Sequence, residues 1–176
     1  MVKGRIFFVF LLVLGLCSCS FTTCENNPSQ TIKQSSEMQV YFTPGTDCEN
    51  HIIERLNKAN KVDVAVYSIT NPAITNAIIA AHERGADIRV ITDKTQAKGK
   101  GSLVGKLKSA GIPVVTNKKT KIEHNKFAVF DGKYVETGSY NFTQNASNHN
   151  SENCVFFDQL GEEYSHRFEY LWNLYK

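Results

Sequence analysis

His124, Lys126, Asp131, Gly138, Ser139 and Asn141 stand in the order H-x-K-x4-D-x6-G-S-x-N within the stretch HNKFAVFDGKYVETGSYN. That set of side chains suits one kind of chemistry, the breaking of a phosphodiester bond. Without a metal, such a reaction needs a nucleophile, a proton for the leaving oxygen and positive groups around the phosphoryl oxygens. Imidazole titrates near neutral pH, so histidine can attack phosphorus or pass a proton. Lysine supplies a compact cation for a phosphate oxygen.

The elements that must position these groups are legible around them. The alternation in HNKFAVF predicts a strand, on which His124 and Lys126, two residues apart, project to the same face. Asp131-Gly132 predicts a turn, and KYVETGSYN the returning antiparallel strand. The return brings Gly138, Ser139 and Asn141 back beside His124. Gly138 is then expected to let backbone approach a phosphate, with Ser139 and Asn141 donating hydrogen bonds to it. Asp131 lies seven residues from His124, roughly 20 Å along an extended strand, so its expected task is structural although it completes the motif.

The pattern resembles the signature of the phospholipase D superfamily, most closely its small single-motif bacterial endonucleases of the Nuc type. Ala65-Val66-Tyr67-Ser68-Ile69-Thr70 and Gly138-Ser139-Tyr140-Asn141-Phe142-Thr143 are similar to further elements of that branch. The resemblance implies a catalytic set of His124, Lys126, Asn141, Glu152, Asp131 and Ser139, with Lys126, Gly138, Ser139 and Asn141 binding the substrate phosphate. It gives Glu152 the role of orienting His124, since a carboxylate can hold one imidazole tautomer. It also implies a phosphohistidine intermediate and two histidines, one attacking and one protonating the leaving group. The remaining histidines (51, 82, 149 and 166) sit in no second H-x-K, and read as ordinary surface or core residues. The expectation is therefore a homodimer with the active site on its two-fold axis, where one residue serves twice.

No cofactor and no metal are expected, because the folded region has no C-x2-C pair, H-E-x-x-H or Asp-rich loop. The Cys/His zinc insert of some animal relatives that act on RNA or cardiolipin is absent as well, which favours the bacterial branch.

Charge points to the substrate. The chain carries a net +3, but residues 94–133 hold ten lysines against Glu123 and Asp131, a local +8. A basic track next to a phosphodiesterase motif fits nucleic acid, DNA first and RNA second, while an anionic phospholipid would also be attracted. The expected activity is thus a sequence-nonspecific endonuclease. The alternatives are a phospholipase D acting on phospholipid head groups and a catalytically silent nucleic-acid-binding module.

At 176 residues there is room for one domain and an appendage. Lys3 and Arg5 precede an apolar run from Ile6 to Leu16, the layout of a secretory signal peptide. Residues 1–19 read as this leader, 20–36 as a polar flexible spacer and 37–176 as the catalytic domain. Export to the periplasm or beyond is expected, and Leu16-Cys17-Ser18-Cys19 leaves a lipid anchor on Cys19 open. Export permits disulfides, and among Cys24, Cys48 and Cys154 the sequence does not choose a pair.

Hydrophobic periodicity divides the domain into alternating elements. Strands are expected at 38–44, 62–69, 86–94, Ile112–Asn117, the motif hairpin and Cys154–Asp158. Helices are expected at Cys48–Lys58, from Asn71-Pro72 to a stop at Gly85, at Ser102–Ala110 before Gly111, and at Glu162–Tyr175. This is an α/β order, a mixed β-sheet flanked by α-helices, which is also the fold the resemblance implies. The basic loop TQAKGKGS (95–102) is either a substrate contact or a plain connector.

Overall fold

A computed structural model describes residues 38–176. The expected leader and spacer, with Cys17, Cys19 and Cys24, lie outside the described residues. The described chain runs β1 (Gln39–Phe42), α1 (Asp47–Lys58), β2 (Lys61–Val66), α2 (Pro72–Glu83), β3 (Asp87–Thr92), α3 (Val104–Ser109) and β4 (Val114–Thr116). It continues with β5 (Lys126–Phe130), β6 (Tyr134–Gly138), α4 (Gln144–Asn148), β7 (Asn153–Phe157) and α5 (Gly161–Tyr175). The strands form one mixed sheet in the order β1-β7-β6-β5-β2-β3-β4.

Local chemistry accounts for most boundaries. The Asn71 side chain accepts from the backbone N–H groups of Ala73 and Ile74, capping α2 just ahead of Pro72. Gly85 and Gly111 follow α2 and α3 with φ of 101° and 84°, left-handed values that end a helix at little cost in glycine. The strands are shorter than their apolar runs. Tyr67 to Ile69, for example, continues past the ladder because its neighbours there are loops. Two short elements were not expected: α4, capped by the Thr143 hydroxyl, and a 3-10 turn at Gln96–Lys98.

Both faces of the sheet are covered, which is why β2 reads as an almost unbroken apolar run. On one face Val62, Val64, Val66, Val90, Ala128 and Phe130 pack against Ile52, Leu56, Ile74 and Ile78 of α1 and α2. On the other, Ala65, Ile91, Phe127 and Val129 meet Phe168, Leu171, Trp172 and Tyr175 of α5. Burying each of the valine, isoleucine, leucine and phenylalanine side chains among these stabilises the fold by about 1.5–3 kcal/mol before chain entropy is counted. Arg89 fastens α5 to the sheet. Its guanidinium donates twice to Asp63 of β2, at 2.8 and 3.0 Å, and to Glu169 of α5, while stacking on Phe168 and Trp172.

Cys48 and Cys154 form a disulfide between α1 and β7 across a sequence separation of 106 residues. A cross-link closing a loop that long removes enough unfolded-state freedom to stabilise the fold by about 4–5 kcal/mol in the chain-entropy account. This choice of pair rests on contacts between distant segments, which cysteine spacing does not reveal.

The strand directions gather chain ends at one edge. β5 is antiparallel to β2 and β6, while β3 and β4 run parallel to β2. The start of β5 therefore lies at the same end as the exits of β2, β3, β4 and β6, the start of β7 and the exit of β1.

Glu136 of β6 faces the α1 side of the core, fully buried, and both carboxyl oxygens lack a hydrogen-bond partner among the described residues. Burial pushes its pKa from 4.5 up to about 8, so the folded chain holds it neutral at pH 7. Below pH 4.5 folded and unfolded forms are both protonated. Between pH 4.5 and about 8 only the unfolded chain ionises, so stability falls as pH rises. Glu136→Gln stays neutral throughout and is expected to remove this slope, up to about 1.4 kcal/mol per pH unit. Urea denaturation of both proteins at pH 5 and pH 8 checks this, and parallel pH dependence in the two would contradict it.

Candidate active site

The end of the sheet where these strands converge carries a cleft of about 450 Å³ lined by His124, Lys126, Gly138, Ser139, Asn141 and Glu152. Six of the seven residues singled out from the sequence therefore share one concave site. Asp131 does not join them. It sits beyond the other end of β5, at φ 53°, where its carboxylate accepts from the backbone N–H groups of Asn60 and Lys61 at 2.8 and 2.9 Å. Those bonds tie the hairpin turn to the start of β2. The seventh member of the set is thus removed from the cleft, and any effect it has on reaction travels through the fold.

His124 precedes β5 instead of lying within it, a departure from the expected strand. Side-chain carboxylates hold this segment in place of the ladder. Buried Asp93 accepts from Glu123 N–H at 3.2 Å, and buried Glu123 accepts from both the backbone N–H and the side-chain amide of Asn125. The other Glu123 oxygen takes a bond from the Tyr175 hydroxyl at the end of α5. Asp93 also caps the 3-10 turn through Thr95 and Gln96. Burial works against its ionisation, but the N–H bonds from Gln96, Glu123 and Thr95 prevail and hold its pKa below the ordinary carboxylate value.

His124 is exposed, with its ring edge-on to Tyr67 at 4.8 Å between centroids. Lys126 is buried and its ammonium donates to the His124 carbonyl at 2.8 Å, 5.4 Å from the centroid of the same Tyr67 ring. Tyr67 thereby touches both motif side chains, and its hydroxyl accepts from Gln96. Burial lowers the Lys126 pKa from its ordinary value, opposed by the charges of Glu152 and Glu123. Lys126 is so placed to give a phosphate oxygen a poorly hydrated and correspondingly strong partner.

Glu152 and Ser139 are hydrogen-bonded to each other. Glu152 accepts from the Ser139 hydroxyl at 2.5 Å and from the Asn150 amide at 2.9 Å, and no hydrogen bond joins it to His124 among the described residues. Ser139 spends its one proton on Glu152 instead of offering it to the cleft, and its oxygen accepts from Asn153 N–H. The pair thus stitches the exit of β6 to the entry of β7. Gly138 has a packing reason as well: a Cβ there would lie 2.2 Å from the Asn153 carbonyl oxygen, so the two strands could not approach as they do. Asn141 lines the cleft with its Oδ1 buried and unpaired among the described residues.

Asp93 and Glu123 are the site-building residues that sequence reasoning missed, whereas Tyr67 belongs to the stretch 65–70 whose resemblance placed it near the phosphate pocket. Asp93 had a local signal, since an Asp one to three residues before a turn offers its carboxylate to N–H groups. Glu123 had only its nearness to Asn125, because its other partners, Asp93 and Tyr175, come from the loop after β3 and from α5. Among the described residues there is no group of three or more His, Cys, Asp or Glu arranged to hold a metal.

The basic residues sort by the same topology. Lys94, Lys98 and Lys100 follow β3, and Lys118, Lys119 and Lys121 follow β4, so all six lie on the loops at the cleft end, exposed. Lys133 belongs to the hairpin turn at the opposite end, which removes it from the expected track.

Comparison with known proteins places these features in a family. Residues 52–172 match the family described as "Cardiolipin synthase, PLD-like domain". The chain is 32% identical to the mitochondrial cardiolipin hydrolase of Chlamydomonas reinhardtii over 87% of its own length and 69% of that protein. It is 35% identical to a phospholipase D of Rickettsia conorii over 73% of its length and 66% of that protein. Among solved structures, Nuc from Salmonella typhimurium, a phospholipase D family member, superimposes with a TM-score of 0.75 at 30% identity. That superposition covers 80% of this chain and 97% of Nuc.

The position of Asp131 yields a prediction. Asp131→Ala is expected to lower stability by about 1–3 kcal/mol, through two unpaired N–H groups and a strained left-handed backbone, while kcat stays within about twofold. Thermal denaturation alongside phosphodiesterase kinetics checks it; an unchanged melting temperature with a collapsed kcat would show that Asp131 acts in the chemistry.

Proposed function

This chain belongs to the phospholipase D-like domain family and is a hydrolase of phosphodiester bonds, and from that premise we propose that it is a sequence-nonspecific endonuclease acting on DNA, with RNA as the alternative nucleic acid. The observation that carries the proposal is the gathering of six exposed lysines after β3 and β4, at the same end of the sheet as the cleft. Such a band matches a polyanion that extends beyond a single phosphate. The extent of the likeness to Nuc, nearly the whole of that chain, supports the same branch.

In the proposed reaction His124 of one subunit attacks phosphorus and the P–O bond to the leaving group breaks, giving a phosphohistidine. His124 of the second subunit donates its proton to the departing oxygen. It then takes a proton from water, which attacks the phosphohistidine and releases the phosphomonoester and free His124. Lys126 and Asn141 face the non-bridging oxygens, where negative charge is held through both steps. The homodimer is part of this proposal, because one chain supplies a single motif histidine and each step needs a nucleophile and an acid or base. Glu152 contributes by holding Ser139 and by its charge near Lys126. We further propose an exported protein, cleaved or lipid-anchored near Cys19; the Cys48–Cys154 bridge supports an oxidising compartment.

The second reading is hydrolysis of phospholipid head groups. It is favoured by the relatives named cardiolipin hydrolase and phospholipase D, and it uses the same cleft.

The test is incubation of the purified protein in EDTA with plasmid DNA, RNA and cardiolipin vesicles in parallel. Nucleic-acid cleavage that persists in EDTA is expected, with His124→Asn reduced by several orders of magnitude. Lipid hydrolysis alone would establish the second reading. Strict dependence on a divalent cation, or an active His124→Asn, would overturn the mechanism.

A further inference from the structure

The motif cleft does not end at His124. A second cavity of about 340 Å³ adjoins it on the α5 side of the sheet, and His124, Lys126 and Gly138 line both. The second cavity runs over Phe127 and Thr137 to the first turns of α5 at Glu163, Tyr164 and Arg167, which gives an ester arm leaving a phosphodiester at the shared residues a path along it.

We propose that this second cavity is a binding subsite for the nucleotide next to the scissile phosphate, with Arg167 holding its far phosphate. The inference rests on the nucleic-acid reading above and extends it to residues outside the motif. The lining argues for this class of ligand. Tyr164, half-buried and packed edge-on against buried Phe127 at 5.1 Å, gives the cavity an aromatic wall against which a base can lie. Glu163 and Arg167, one helical turn apart, add an acceptor for base or sugar donors and a permanently charged fork that fits phosphate oxygens. An acyl chain would meet charged groups at the end of such a cavity, where it needs continuous apolar walls.

Arg167 is exposed, and its guanidinium lies 5.3 Å from the centroid of Tyr170 on the next turn. It takes no part in the Asp63–Arg89–Glu169 bridge that fastens α5, so its removal leaves that attachment in place.

The experiment compares Arg167→Ala with the unaltered full chain on two substrates. Bis(4-nitrophenyl) phosphate fills the shared site but offers no second phosphate, whereas a single-stranded oligonucleotide reaches the subsite. Arg167→Ala is expected to raise KM for the oligonucleotide about tenfold, leave kcat within about twofold and flatten the salt dependence of KM by about one unit of slope. Turnover of bis(4-nitrophenyl) phosphate should not change, and Arg167→Lys should recover part of the oligonucleotide affinity. Unchanged oligonucleotide KM in Arg167→Ala would overturn the subsite, as would equal losses on both substrates, which mark a structural or dimer-interface role. If the unaltered protein hydrolyses bis(4-nitrophenyl) phosphate yet cuts no nucleic acid, the endonuclease reading itself fails and the subsite with it.

Discussion

The antiparallel pairing of β5 with β2 is the constraint on which the site depends. β5 is inserted between two strands that run against it, and all five of its residues are buried. That placement turns the entry of β5 towards the exits of its neighbours. Every strand of the sheet then delivers a chain end to the same edge, so residues far apart in sequence meet where His124 leaves the loop and Lys126 enters the ladder. Were β5 parallel to β2, the motif would open at the other end of the sheet, away from the lysine-bearing loops.

Within that frame, carboxylates serve the site by fixing the backbone around it. Asp93 and Glu123 replace ladder hydrogen bonds for the segment before β5, holding backbone N–H groups that would otherwise be unpaired and buried. Glu152 and Ser139 do the same for the junction of β6 and β7. The cleft is therefore walled by segments whose backbone is fixed from behind. This is the arrangement a phosphoryl-transfer site needs, because charge stabilisation costs no reorganisation when the donors are already in place. Asp131 stands apart, doing for the far end of β5 what Asp93 does for the near end.

The disulfide and the Arg89 bridge work at larger scale. Cys48–Cys154 ties α1 to the strand that follows Glu152, and Arg89 ties α5 to the strands beneath it. α5 in turn closes the second cavity and, through Tyr175, reaches Glu123. The helix thus supports both the catalytic segment and the extended groove. Glu136, neutral in the core below the same strands, is a place where burial of a titratable group works against stability near neutral pH.

Much of this was legible from sequence because its causes are local. The order of strands and helices follows from apolar periodicity, the start of α2 from Asn71-Pro72, its end from Gly85, and the hairpin from Asp131-Gly132. The chemistry was legible for the same reason: His124, Lys126, Ser139 and Asn141 are spaced so that one hairpin brings them together. What only tertiary structure decided depends on contacts between distant segments. The Cys48–Cys154 pair, the engagement of Glu152 with Ser139 instead of His124, and the support of the His124 segment by Asp93 and Glu123 all follow from strand order and direction. So does the sorting of the lysines, where Lys94 and Lys121 reach the cleft end while Lys133, closer in sequence to the motif, is carried away from it. Sequence spacing sets what a strand or turn can do with its own neighbours; which other segment it meets is set by how the whole sheet buries both of its faces.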